Sequence, residues 1–302
     1  MSYPHRPALS GLLLAAAGAV AFSGKAIIVK LSYVYGVDAV TVIMYRMLFA
    51  LPLFIAMGLW AERQAVAREN PLTRRDVIDI VLLGFVGYYL SSYLDFLGLQ
   101  YVTASLERLI LYLNPTLVVL LGWLIYKKPI QPRRMMAMAV SYSGVLLVFW
   151  HELSFAGVHV VWGSALVFAS AFTYAVYLVY SGQLVQRIGA LRLVGWATSV
   201  ACLCCIAQFL LLRPLSAAMV PVEVLWLAGL NAVVCTVAPV MMVMMAIERI
   251  GAALTAQTGM IGPMATITLG VWVLNEPLNV WIGAGTLLVL GGVFIVSKYG
   301  AK

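Results

Sequence analysis

LQYVTASLERLILYLNPTLVVLLGWLIYKKPIQPRRMMAMAVSYSGVLLV, residues 99–148, aligns with IERIGAALTAQTGMIGPMATITLGVWVLNEPLNVWIGAGTLLVLGGVFIV, residues 247–296, at a constant offset of 148 and without a gap. Pro115 falls on Pro263, Pro129 on Pro277, Gly122 on Gly270 and Gly144-Val145 on Gly292-Val293. Ala104, Leu106, Leu121 and Val148 complete 9 identities in 50 positions. Most other positions exchange one apolar residue for another. Proline removes a backbone donor and limits where a helix can run, so prolines paired at one offset predict a duplicated chain whose copies bend alike.

Working outward, the whole chain has the same character. Of its 302 residues 64% are hydrophobic and 10% charged, against roughly 25% charged in soluble domains. Mean hydropathy is +1.01. A polytopic membrane protein fits this composition and a soluble domain does not. The net charge of +8 does not point to nucleic acid, because the basic residues lie in short loops and no charged module stands outside the apolar runs. Cys202, Cys204, Cys205 and Cys235 all sit in apolar runs with no CxxC pair and no neighbouring histidine. They predict packing, not a metal site or disulfide.

A span needs about 20 mostly apolar residues. Ten candidates lie near 9–30, 38–60, 77–99, 102–126, 133–150, 157–182, 191–212, 222–246, 252–274 and 278–298. The first begins close to the N-terminus and is expected to be retained, since no convincing cleavage pattern follows it. With the N-terminus inside, 14 Lys and Arg fall on the inner side and 3 on the outer, which predicts an inner-membrane protein with both termini cytoplasmic. Five spans per copy is an odd number, so the copies enter from opposite sides. The fold class expected is all-α and integral to the membrane: ten transmembrane helices in two inverted five-helix repeats, residues 1–150 and 151–302. Repeats of this kind are a transporter architecture, able to rock around a site on their shared axis.

The motifs now resemble a known family. Gly98-Leu-Gln-Tyr-Val-Thr-Ala-Ser-Leu106, followed by Leu113-Asn-Pro-Thr116, is similar to the third-to-fourth helix signature of the drug/metabolite transporter superfamily. Asn275-Glu-Pro-Leu278, Gly283-Ala-Gly285 and Gly291-Gly-Val-Phe-Ile-Val-Ser297 look like the closing helix of its ten-helix EamA-type exporters. Lys30 and Arg46 stand where that family tends to place a basic residue. The resemblance covers nearly the whole chain and implies export of amino acids or other metabolites. The chain departs from it at Lys127-Lys128, where the family often has an acidic residue; only the second half keeps one, Glu276. The related four-helix multidrug transporters use a first-helix glutamate for proton coupling, and this first helix carries Lys25 instead.

Ionisable residues inside a span are costly and are functional candidates by default. Lys25, Arg46, Asp95, Glu107 and Arg108 all fall in the outer half of the membrane, three positive and two negative. They predict either a structural ion-pair network or a charged gate, with Lys25 the proposed anchor for a substrate carboxylate. Hydroxyl-bearing aromatics form a second set. Tyr88 and Ser92 share a face of the third span with Asp95, Tyr89 lies on the neighbouring face, and Tyr174 and Tyr177 share a face of the sixth. Such residues suit a cavity wall for amphipathic solutes. Asn114, Asn231 and Gln257 are either cavity groups or interhelical glue. Pro115 and Pro263 are expected to bend their helices side by side. The fifth and tenth spans, least polar inside, are placed at the periphery or in a homodimer contact.

No P-loop, catalytic triad or metal cluster is present in the sequence, so neither an enzyme nor a cofactor is expected. The expected function is export of small organic solutes, aromatic or bulky apolar amino acids foremost, by facilitated alternating access. The alternatives are transport of anionic, phosphorylated or nucleotide-linked metabolites held by the basic residues, and a membrane scaffold or lipid-handling role.

Overall fold

The computed structural model describes residues 5–64, 70–127 and 130–298, with no strand among them. By length and composition eight helices can cross a bilayer: Leu9–Val34, Ala39–Glu62, Arg74–Gly98, Ala104–Tyr126, Met135–Ser154, Val158–Gly182, Ala190–Leu212 and Val222–Ile247. Two shorter apolar helices, Ile261–Leu274 and Val280–Ile295, follow. These are the first to tenth spans, and all ten lie where hydropathy places them. In lipid a backbone must satisfy its own hydrogen bonds, which is why apolar runs of this length become helices. Local signals set their ends. Asp38 accepts from Val40 N (3.1 Å) and Thr41 Oγ1 (2.6 Å) at the start of the second span. Thr73 and Asp76 form a capping box at the start of the third. Thr103 caps the fourth by accepting from Leu106 N (3.1 Å).

Four spans are less regular than expected. The third contains a π-helical stretch, Gly84–Leu90, and the eighth another, Val233–Val237. The fourth is two helices, Ala104–Leu111 and Asn114–Tyr126. The turn expected between the eighth and ninth spans is helical, in one run Ala238–Gly259, and the ninth span resumes at Ile261 after a break at Met260. Pro115 and Pro263 sit in the first turn of the resumed helices. A missing N–H costs nothing there, so each bend takes the form of a restart. The irregularities fall at the repeat spacing. The break at 112–113, shifted by 148, covers the break at 260, and 84–90 shifted by 148 encloses 233–237. Lys127 (φ 52°) and Asn275 (φ 53°), the two non-glycine residues at positive φ among those described, are also 148 apart. Each closes a helix in the left-handed conformation.

The second span packs on the seventh and the fifth on the tenth. The first packs on the eighth and ninth, and the sixth on the third and fourth. Adding five to each number in the first half maps this pattern onto itself. Close approach of the fifth and tenth spans needs glycine: a Cβ at Gly144 would stand 2.7 Å from Gly285 O, and one at Gly285 2.4 Å from Val148 Cγ2. The fifth and tenth spans thus lie at the periphery, against each other. Leu211, Trp226, Trp272 and Leu287 are exposed on the outside of the bundle, a surface that suits lipid.

Candidate functional site

Eight spans, the first four and the sixth to ninth, enclose a cavity of about 660 Å³, within the roughly 300–1,000 Å³ usual for small-molecule sites. The fifth and tenth spans supply none of its lining among the described residues. On the first span Ala15, Ala19, Phe22 and Lys25 follow one another along a single face. Lys25, Arg46, Asp95 and Arg108 line the cavity at one level. From there it runs past Tyr88 and Tyr174 towards Ala15, Ile247 and Thr255, at the end where the first span begins.

The charges divide into two groups. Lys25 Nζ lies 2.5 Å from Asp95 Oδ2 and 3.1 Å from Glu107 Oε1, joining the first, third and fourth spans. All three side chains are buried, Glu107 completely. Asp95 Oδ1 has no hydrogen-bond partner, and the Glu107 carboxylate meets Lys25 as a charge contact outside good hydrogen-bond geometry. Removing one partner of a buried ion pair is costly, and one ammonium here serves two carboxylates. The arginines are held differently. Arg46 donates Nε–H to Thr236 Oγ1 (3.0 Å) and its guanidinium lies 5.1 Å from the Phe96 ring centre. Arg108 donates Nε–H to Thr266 Oγ1 (2.9 Å) and an Nη2 hydrogen to Phe22 O (3.2 Å), 5.2 Å from the Phe22 ring centre. No carboxylate among the described residues forms an ion pair with either arginine.

The aromatic wall is a layered one. Tyr88 and Tyr174 face the cavity, while Tyr177 stands behind them, accepting a hydrogen bond from Tyr88 Oη at 3.2 Å. Ser92 and Asn114 line the cavity. Tyr89 does not: its ring packs on Phe85 at 5.0 Å between centres. Asn231 is buried outside the lining, and its carbonyl accepts from Thr236 Oγ1 (2.8 Å), the hydroxyl that holds Arg46. Glu107 is likewise behind the surface. The Gln257 side chain lies outside the described residues. Sequence reasoning passed over Phe22, Tyr112, Thr236 and Thr266. Tyr112 donates to Gly259 O (2.5 Å) across the two helix breaks. The small-residue face of the first span was a usable signal for Phe22. Nothing in the sequence pairs the threonines with the arginines, since those contacts join residues 190 and 158 positions apart.

Both ends of the bundle are tied between its halves. At the far end Glu276 accepts from Ala104 N (2.7 Å) and Ser105 Oγ (2.9 Å), and Asp38 pairs with Arg213 at 2.9 Å. Partial burial raises the Asp38 carboxyl, but hydrogen bonds from Thr41, Arg213 and Val40 and the Arg213 charge together hold it below the usual range. At the near end Arg192 pairs with Glu62, and Arg187 with Asp76 at 2.5 Å.

A bundle of apolar spans around a solute-sized, partly charged cavity is the form of a membrane transporter. The chain belongs to the EamA-like transporter family, whose model matches residues 9–150 and 161–298. It is similar to the uncharacterized transporter YcbK of Bacillus subtilis (strain 168), 30% identical over 96% of this chain and 92% of that one. An uncharacterized transporter of Archaeoglobus fulgidus is 23% identical over 94% and 96% of the two chains. One solved crystal structure superposes with a TM-score of 0.64 over 97% of both chains at 18% identity, a likeness of fold. The protein is thus a multi-pass membrane protein of a transporter family.

Proposed function

We propose that the protein exports small organic solutes from the cytoplasm across the inner membrane, with aromatic or bulky apolar amino acids foremost, by alternating access. The observation that carries this reading is the cavity itself: solute-sized, walled by Tyr88, Tyr174 and apolar side chains, and charged at one end only. A ring of that kind binds an apolar side chain, and the charged end suits a polar head group. The excess of 14 to 3 basic residues puts the first span's start in the cytoplasm. On that orientation the cavity reaches towards the cytoplasm and the Glu276 and Asp38 contacts seal the outside. Residues 1–150 and 151–302 are taken as inverted repeats, supported by the restarts, π-helical stretches and left-handed caps at a spacing of 148 and by a family match in each half.

Counterflow in proteoliposomes tests the reading. Labelled phenylalanine is supplied outside, with single unlabelled solutes trapped inside. Trapped phenylalanine, tryptophan or leucine is expected to drive label inward above its equilibrium level. Absence of counterflow with every amino acid, alongside counterflow of phosphorylated metabolites, would replace this reading with the anionic one. A scaffold moves none of them.

A further inference from the structure

Arg46 and Arg108 stand on different spans yet are held alike. Each gives its Nε–H to a threonine of the second half, Thr236 at 3.0 Å and Thr266 at 2.9 Å. Each guanidinium lies over a phenylalanine of the first half, at 5.1 and 5.2 Å. Tethering at Nε leaves the terminal nitrogens for another partner, and that edge matches a carboxylate. Arg108 commits an Nη2 hydrogen to a carbonyl, and Arg46 Nη1 has no partner. Both residues line the cavity and are 5% and 3% exposed. Hydroxyls and rings orient these cations without neutralising them. Lys25 is not free to do the same work, because Asp95 and Glu107 already hold it. Of these five charges the two guanidiniums are the ones without an ion-pair partner among the described residues.

We propose that Arg46 and Arg108 together form the docking site for a single carboxylate group of the transported solute, a proposal that rests on the export reading above. A carboxylate presents two oxygens to those guanidinium edges, and it is the anionic group that an amino acid carries near neutral pH. The docked group also lies at the seam between the halves, because each arginine of the second or fourth span is tied to the eighth or ninth.

The test uses the whole protein in proteoliposomes, with labelled phenylalanine outside and phenylalanine, phenylalaninamide, phenethylamine or phenyl phosphate trapped inside. Phenylalanine is expected to drive at least roughly tenfold more accumulation than each of the others, since a hydrogen-bonded charged group is worth about 1.5–3 kcal/mol. Arg46→Gln and Arg108→Gln are each expected to lower phenylalanine counterflow by about the same factor, with Arg46→Lys retaining more than Arg46→Gln. If a glutamine variant fails to fold, the ranking of acid against amide in the native protein still decides. Phenylalaninamide performing as well as phenylalanine leaves export standing and overturns the docking site. Phenyl phosphate performing better overturns it too. No counterflow with phenylalanine, its amide or its amine overturns the amino-acid reading and the docking site with it.

Discussion

Lys25 shows how a buried charge changes meaning once its neighbours are known. Its position inside a span marks it as a candidate, and its sign suggests an anchor for an anion. The tertiary structure seats it between Asp95 and Glu107, as in an ion-pair network, and the docking role proposed above falls to Arg46 and Arg108. The difference comes from side-chain direction around three separate helices, which residue spacing along one helix does not encode. The triad carries a stability prediction. Lys25→Met leaves two carboxylates buried without a counter-ion and is expected to lower stability by about 3–5 kcal/mol, the range for breaking a buried pair. Adding Asp95→Asn is expected to restore part of that loss. Unfolding midpoints in detergent check both, and an unchanged midpoint for the single variant would mean that the triad does not form.

Among the helical elements, hydropathy located every span, because lipid imposes one solution on an apolar run of sufficient length. Interruptions were only partly legible. Pro115 and Pro263 announced bends, but the π-helical stretches at Gly84–Leu90 and Val233–Val237 have no such marker, since they depend on what packs beside them. Gly84 illustrates the point: a Cβ there would stand 2.4 Å from Ala197 O on the seventh span. The pairing of the fifth and tenth spans makes a direct comparison possible. Gly144→Leu pushes a side chain into the Gly285 backbone and is expected to cost about 1–3 kcal/mol as overpacking. Gly122→Ala meets nothing within 4 Å and is expected to be neutral or stabilising by up to about 1 kcal/mol, from the better helix propensity of alanine. Thermal midpoints of the two variants, measured side by side, separate a packing glycine from an incidental one.

For the whole molecule, orientation and cavity direction make one joint prediction. A single cysteine at Ser92, in a chain whose Cys202, Cys204, Cys205 and Cys235 are replaced by serine, is expected to react with a membrane-impermeant thiol reagent from the cytoplasmic side. Phenylalanine is expected to slow that reaction. Labelling from the outside alone would reverse either the proposed orientation or the proposed resting state. The sealed end supports the expectation: Glu276 on the Ala104–Ser105 helix start and Asp38 on Arg213 join the halves there, and a negative side chain at a helix N-terminus is favourably placed. By the offset of 148 the sequence counterpart of Glu276 is Lys128, which lies outside the described residues.

The sequence by itself determined that this chain lives in lipid, crosses it about ten times, carries its charges in few and specific places, and repeats at a spacing of 148. Each of those facts is local, or periodic along the chain, and the bilayer reads it residue by residue. Only the tertiary structure decided which charges neutralise one another and which remain available. It also separated Tyr88 and Tyr174, which face the cavity, from Tyr89 and Tyr177, which do not, and it revealed the threonines that hold the arginines. Those outcomes depend on how helices from the two halves rotate and approach. Contacts between residues more than a hundred positions apart are set by packing geometry, and no spacing along the chain records them.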